Sequence, residues 1–498
     1  MFEDAVIGRP ARRPLSFPLQ VPGRLLIFWG LAAVVVPAIW VTSGALGFEG
    51  RVALVTFVLA ALAWCLTSIG STYIALIAAL VPTMLGFDEP ESFFRIVGNA
   101  LFWLLLGAFI VAAAFTRSGL AQRLAQAIMR GRTTTRGLFL RLTGVILLSA
   151  LVVPATSSRA ALFLPIYESL GKSLREPRIL RALALLIPVA ILLSAAASLI
   201  GAGAHLLMVE LVVGLGGERI GYFQWLVWGL PFAAASCLLS AWVISRLFLS
   251  RTERRRALAF EGAEAGAAKQ PLSRGERLVL WVVGALVLLW ISEPLHGLHA
   301  TLVAICGALI VTAPRIGAIS LKEGMKAVNW NLLVFMAATI KLGQTLVETG
   351  AAAWLIESAF GLVAKGPAAL VAMVIVVSTL AHLVVTSRTA RSSILVPVVA
   401  LLAASAGLDP LALAFVSTIA AGYCLTLPVS AKPLAMFAEL EGTTFAPGDL
   451  LRLSAWLIPL HLLLLALFAA VIWPWLGLDL QTLSTGKLPL PGAASAQI

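Results

Sequence analysis

Charge is what this sequence has least of. Asp, Glu, Lys and Arg make up 12% of its 498 residues, about half of what a soluble chain carries, while 60% are hydrophobic. That balance excludes soluble enzyme folds and disorder. Apolar runs of 18 or more residues recur from end to end, so the chain is a polytopic membrane protein. An outer-membrane barrel is excluded as well, because its alternating strands would be far more polar. Cysteine is almost as scarce. Cys65, Cys237, Cys306 and Cys424 stand singly in apolar segments and no C-x-x-C occurs, which removes disulfide frameworks and zinc sites and leaves four small core residues. Paired carboxylates, a metal-ligand cluster and a Ser/His/Asp set are missing too, so neither an enzyme nor a cofactor is expected. The opening Met-Phe-Glu-Asp lacks the charged start and cleavage site of a signal peptide, and the first span is expected to be retained.

Positive charge is in surplus, with 36 basic against 23 acidic residues and a net charge of +13. No nucleic-acid partner is expected from it, because most basic residues sit in short connections between spans and mark topology. Arg9, Arg12, Arg13 and Arg24 precede the first span and put the N-terminus in the cytoplasm. Arg117 to Arg136, Lys172 to Arg181, Arg251 to Arg256, and Arg315 with Lys322 and Lys326 then fall on the same side. The opposite side receives only Arg51, Arg95, Arg219, Lys365 and Lys487. The alternation works only if two broken apolar segments, about 137–171 and 367–407, enter and leave on one side as re-entrant hairpins. The expectation is an all-α protein of about 11 transmembrane helices plus those two hairpins, in the lipid bilayer of the inner (plasma) membrane. Its parts are a cytoplasmic segment 1–23, a first half 24–248, a cytoplasmic linker 249–276, a second half 277–477 and a tail 478–498.

The halves repeat. Trp103-Leu-Leu-Leu-Gly, Ser118-Gly119-Leu120 and Leu164-Pro165-Ile166 are followed in the second half by Trp330-Asn-Leu-Leu-Val, Thr349-Gly350-Ala351 and Val396-Pro397-Val398. The glycines are 231 positions apart and the prolines 232. With one hairpin opening inward and the other outward, these are inverted repeats, the architecture of secondary transporters. At the first hairpin break stands Pro154-Ala-Thr156-Ser157-Ser158-Arg159, and at the second Thr386-Ser387-Arg388-Thr389-Ala-Arg391-Ser392-Ser393. An arginine near the midplane costs about 2.5–3.5 kcal/mol on insertion scales, so three of them demand partners. Few carboxylates are at hand: Glu168 lies near a span's end and Glu210 late in its span. Unpaired guanidinium, hydroxyls and the positive ends of half-helices together describe a site for a soluble anion. Thr156, Ser157, Arg159, Ser387, Arg388, Thr389 and Arg391 are therefore the expected substrate contacts. Arg159 and Arg391 each stand six residues before a hairpin proline.

With Gly107-Ala-Phe-Ile, Arg117-Ser-Gly-Leu, Phe223-Gln224-Trp225 before Gly229-Leu-Pro231, Leu321-Lys-Glu-Gly-Met-Lys-Ala-Val-Asn-Trp330 and Leu427-Pro-Val-Ser430 in order, the chain resembles the divalent anion/sodium symporter family from about residue 50 to 477. The resemblance implies a homodimer and an elevator mechanism, in which a hairpin-bearing domain slides against a fixed scaffold. In that family each hairpin tip carries Ser-Asn-Thr, which binds substrate carboxylates and helps hold sodium. The matching residues here are Ala155-Thr156-Ser157 and Ser387-Arg388-Thr389. Two further family elements, Gly-Thr-Pro-Pro-Asn and Ser-Thr-Pro-Pro-Asn on the unwound helices, read Gly201-Ala-Gly-Ala-His205 and Ser430-Ala-Lys432-Pro-Leu434. Gly201, His205, Ser430 and Lys432 become possible lining of the site. All four asparagines are gone, and Arg388 sets a fixed cation where a mobile one would bind. The expectation is a secondary carrier of small divalent anions (di- or tricarboxylate, or sulfate-like) with no metal site and sodium coupling doubtful. An anion channel, or a carrier of arsenite or citrate–metal complexes, is the alternative. Lys341 in mid-span faces either the cavity or an acid. His382 reads as a packed histidine, with a proton carrier as the other reading, and His296 with His299 as a solvated loop.

Overall fold

A computed structural model describes residues 23–87, 89–129, 133–174, 176–258, 271–359 and 366–481. The expected N-terminal segment up to residue 22, the middle of the linker (259–270) and the tail beyond residue 481 lie outside the described residues. So do the topology markers Arg9, Arg12, Arg13, Arg130, Arg132, Arg175, Lys365 and Lys487.

The described chain is almost entirely helical, as the composition requires of a backbone whose polar groups cannot meet water in a bilayer. In order, the principal helices are α1 (Gly23–Thr42), α2 (Phe48–Leu66), α3 (Ser71–Met84), α4 (Ala100–Arg117), α5 (Leu120–Met129), α6 (Thr135–Ser149), α7 (Thr156–Ser173), α8 (Pro177–Ser194), α9 (Gly203–Gly214) and α10 (Tyr222–Phe248). There follow α11 (Arg274–Ile291), α12 (Ala300–Val311), α13 (Trp330–Glu348), α14 (Ala351–Ala359), α15 (Pro367–Leu380), α16 (Arg388–Ser405), α17 (Pro410–Ala421), α18 (Lys432–Ala438) and α19 (Pro447–Leu467). Among the described residues eight helices are long and apolar enough to cross a membrane, and five shorter apolar ones accompany them. Large apolar side chains such as Val41 (80%), Met84 (83%) and Trp281 (77%) lie bare on the outer surface, which suits lipid rather than water.

Two broken pairs stand out. α6 and α7 are separated by Ala150–Ala155, and α15 and α16 by a single 3-10 turn (Ala381–Leu383) and a short loop. These breaks fall where the hairpins are expected, with segment ends within about two residues of the expected ones. α7 and α16 are both 18 residues long and carry their internal proline, Pro165 and Pro397, at the tenth position. Each hairpin is followed by a helix that unwinds and restarts. α8 gives way to 3-10 turns and then α9; α17 gives way to a 3-10 turn (Pro428–Ser430) and then α18. The residues before the two restarts share one extended backbone, Ala202 at φ −151°, ψ 146° and Ala431 at φ −158°, ψ 142°.

The interior forms two large apolar clusters. One joins α2, α3, α4, α9, α12 and α13; the other joins α6, α7, α8, α10, α18 and α19. Within the first cluster the backbones pack closely: a Cβ on Gly203 at the start of α9 would sit 2.6 Å from Leu332 of α13. The described ends of the segment expected as a plain linker are more ordered than a tether. Ser250 and Glu253 form a capping box on the short helix Arg251–Arg255, and Ala257–Leu258 pairs antiparallel with Thr133–Thr134. Arg256 reaches Glu176 at 2.6 Å, so this stretch is stitched beneath the first hairpin.

Candidate functional site

Both hairpin tips and both unwound segments open on one cavity of about 610 Å³. Six helices begin on its wall. Gly70, Ala155, Ala202, Asn329, Ser387 and Ala431, the residues that precede α3, α7, α9, α13, α16 and α18, all line it. Only two of these starts are capped by their own side chain. Asn329 accepts from the Leu332 N–H (3.2 Å) and Ser387 from the Ala390 N–H (3.3 Å). The other four lack a side-chain cap, so their positive dipole ends face the cavity uncapped. The Tyr73, His205 and Leu434 N–H groups nonetheless already donate to the residues that precede α3, α9 and α18, and Pro433 in α18 has no N–H. To these partial charges are added three full ones, Arg388, Arg391 and Lys432, and among the described residues no Asp or Glu lines the cavity.

The guanidinium groups are held by carbonyls at helix ends. Arg388 Nη2 donates to Gly422 O and to Leu192 O (3.2 Å), bridging the breaks after α17 and α8. Arg391 is 1% exposed; its Nη1 donates to Tyr423 O (3.0 Å), while Nε and Nη2 have no hydrogen-bond partner. Leaving a buried donor unsatisfied costs about 1–3 kcal/mol each, more for a charged group. Among the described residues neither Arg388, Arg391 nor Lys432 makes an ion pair.

Of the expected substrate contacts, Thr156, Ser157, Ser387, Arg388, Thr389 and Arg391 are brought together here, with Ser430 and Lys432. Arg159 is not. It is wholly buried and off the cavity wall, donating from Nη1 to Ser194 Oγ (2.8 Å) and from Nη2 to Ile191 O (2.9 Å). The physical reason is local: α8 ends directly beside it, and its last-turn acceptors take both Nη groups, leaving only Nε without a partner. His205 and Gly201 also fall outside the lining. The imidazole is stacked on Trp225 at 4.6 Å, and Gly201 is packed against the Ala195 carbonyl. Lys341 lies within the bundle, 3.8 Å from Glu348. His382 is a packed, doubly hydrogen-bonded histidine, to Thr379 O and Thr426 Oγ1, both at 2.7 Å. His299 caps α12 by accepting from the Thr301 N–H.

Ser71, Thr72, Asn329, Asn331, Thr386 and Cys424 were not expected and do line the cavity. Thr72 and Asn331 are joined, Thr72 Oγ1 donating to the Asn331 carbonyl at 3.1 Å, so α3 and α13 make one continuous wall. The available signal was the small polar cluster at the start of each span, Gly70-Ser71-Thr72 and Asn329-Trp-Asn331.

An all-α membrane protein whose hairpins and broken helices meet at a polar, cationic cavity has the build of a transporter, not of an enzyme. The chain belongs to the sodium:sulfate symporter family: the family profile described as the sodium:sulfate symporter transmembrane region matches residues 25–478. It is therefore a multi-pass membrane transporter of small anions. Among similar proteins, a protein from Cupriavidus necator described only as a membrane protein is 25% identical, with 91% of this chain and 94% of that one covered. The sodium-dependent dicarboxylate transporter SdcS of Staphylococcus saprophyticus is 24% identical (70% and 72% covered). The citrate/succinate antiporter of Escherichia coli K12 is 24% identical (60% and 63%). Among solved structures, the Alcanivorax borkumensis YdaH transporter matches with a TM-score of 0.50 at 17% identity, covering 82% of this chain and 98% of that one, a likeness of fold alone.

Proposed function

We propose that this protein is a secondary active carrier of small divalent anions, di- or tricarboxylates or sulfate-like oxyanions, that works without sodium. The observation that carries the reading is the convergence of six helix N-termini with Arg388, Arg391 and Lys432 on a cavity that, among the described residues, no carboxylate lines. A carboxylate about 4 Å from one guanidinium gains about 4 kcal/mol at an effective dielectric of ~20. Two such contacts outweigh the loss of the anion's hydration only if the charge is delivered to both, which favours dianions over monoanions. Thr156 and Ser157 from one tip, Ser387 and Thr389 from the other, and Ser430 supply hydroxyl donors around the charge. The dicarboxylate and citrate/succinate carriers among its relatives support this substrate class.

The same arithmetic runs against sodium. A cation needs a cage of neutral oxygens, and here the carbonyls of Leu192, Gly422 and Tyr423 already accept from Arg388 and Arg391. Each guanidinium within about 4 Å costs a sodium ion about 4 kcal/mol, roughly a thousandfold in affinity. The residues present do not fit the ion. The matched hairpins, prolines and unwound segments support a pair of inverted repeats. The resemblance supports an elevator motion of the hairpin-bearing helices against a homodimeric scaffold. The arginine-rich connections support a plasma-membrane protein with a cytoplasmic N-terminus. The test is uptake of radiolabelled succinate, citrate and sulfate into proteoliposomes with and without a sodium gradient. Saturable uptake of at least one anion, indifferent to sodium, is expected; a strict sodium requirement overturns the coupling, and no uptake of any of them overturns the substrate class.

A further inference from the structure

The full charges of the cavity all come from the second half of the chain. Arg388 and Arg391 stand three residues apart in α16, so they leave one helix face, and they donate to the neighbouring carbonyls of Gly422 and Tyr423. Lys432 comes ten residues after Gly422, at the restart of the same broken segment. Its exposed side chain lines the cavity and, among the described residues, makes no ion pair. The matching places in the first half bring no charge to the wall. Thr156 opens α7 where Arg388 opens α16, and Arg159 is buried off the cavity. Gly203 opens α9 where Lys432 opens α18, and any side chain there would have to displace Leu332. Among the described residues the first half lends the cavity the hydroxyls of Ser71, Thr72, Thr156 and Ser157, and no charged group.

We infer that the site selects an anion charged at one end, with Lys432 as the residue that sets this preference. The ligand presents a compact head of two negative charges to Arg388, Arg391 and Lys432, and a neutral polar remainder to the first hairpin. This rests on the anion-carrier reading and narrows its substrate class to malonate-type dicarboxylates and single-centre dianions, over dicarboxylates charged at both ends. The reason is the difference between a full charge and a dipole. An extended dianion brings one carboxylate to the three cations and must leave the other among hydroxyls and helix ends, which offer at most about half a charge. Coulomb attraction falls with distance, so that second carboxylate gains little over water. A compact head keeps both charges in reach of all three cations. The two guanidinium groups are already partly committed, Arg388 through Nη2 and Arg391 through Nη1. Lys432 is the cation with a flexible stem and three rotatable donors, and it holds the second charge at the same end as the first.

The experiment is calorimetric titration of the purified full chain in detergent with malonate, succinate, glutarate, adipate and sulfate at about pH 8, where every carboxyl is ionised. The four dicarboxylates differ only in the methylene groups that separate two equal charges. Affinity should fall along that series, with malonate at least tenfold tighter than glutarate, and sulfate should displace malonate. In Lys432→Met the malonate-to-glutarate ratio should drop to about threefold or less, while Lys432→Arg should keep it. A lysine that only supported the fold would weaken all four alike and leave the ratio where it was. Melting temperatures verify that the variants are folded, and the series on the native protein needs no variant. Glutarate or adipate binding as tightly as malonate overturns the one-ended site and leaves the carrier reading standing. A ratio that survives in folded Lys432→Met overturns the part given to Lys432. Failure of all five anions to bind removes both readings together.

Discussion

Arg159 and Arg391 occupy matching places in the two hairpins, 232 positions apart, and each donates to a carbonyl a further 32 residues on, Ile191 and Tyr423. Their surroundings nonetheless make them different residues. Around Arg159 the last turn of α8 offers a carbonyl and the Ser194 hydroxyl, and the side chain is closed off in the protein. Around Arg391 the helix has already ended at Ala421, one carbonyl is in reach, and Nε and Nη2 are left without a partner in a residue that lines the cavity. The same charge is thus closed off in one half and lines the cavity in the other. Matching place along the chain does not decide role; the acceptors in the first few ångströms do.

The sharpest way to break that comparison is to remove both side chains in turn. Arg391→Met should weaken succinate or sulfate binding by at least about 100-fold, since it deletes a charge-assisted donor set worth about 1.5–3 kcal/mol per bond. It should leave the melting temperature level or higher, because a buried and only partly satisfied charge goes with it. Arg159→Met should do the reverse. Binding is expected to stay within about threefold, while stability falls by about 1–3 kcal/mol as the Ile191 carbonyl and the Ser194 hydroxyl lose their donor. Thermal unfolding and anion titration on the same preparations read both. Equal loss of binding in the two variants would mean that Arg159 does reach the substrate.

How far the sequence reveals this follows from the same residues. The hairpins are legible because hydroxyls and arginines interrupt apolar runs at one offset, and no lipid-facing helix tolerates that. Arg388, Arg391 and Lys432 are legible as cavity residues because a charge at such a depth has few other places to go. Arg159 is the exception, since nothing local says that Ser194, 35 residues away, will claim it. Asn329, Asn331, Ser71 and Thr72 are hidden for the opposite reason. Every helix needs a polar start, and only the packing of α3 and α13 across the hairpins turns these ordinary ones into a wall.

A smaller effect is expected at Arg388, whose counterpart in the first half is Thr156, not a cation. Arg388→Asn frees Leu192 O and Gly422 O and restores the amide that the family motif carries at this position. Sodium should then raise the melting temperature of the variant, with an affinity gain of a few-fold, and should have no effect on the native protein. One amide does not rebuild a cage whose other three asparagines are also absent. A sodium response already present in the native protein would show that the guanidinium does not displace the ion.

The least perturbing test concerns the residues that open α7 and α16, Ala155 and Ser387, again 232 positions apart. Ala155 has φ 67° with ψ 136°, a region L side chains rarely adopt, whereas Ser387 has an ordinary φ of −76° and caps its helix through the Ala390 N–H. Holding a non-glycine residue in such a conformation costs of order 1–3 kcal/mol. Ala155→Gly releases that strain and returns about 0.4–1 kcal/mol to the unfolded chain as backbone entropy. The net change should be a stabilisation of about 1 kcal/mol. Ser387→Gly has no strain to release and loses its cap, a change worth only a few tenths of a kcal/mol in the other direction. Glycine at matched positions should therefore shift the melting temperature upward in the first hairpin and slightly downward in the second. A fall in both would mean that the first tip is not strained, and that the two hairpins differ only in where their arginines find acceptors.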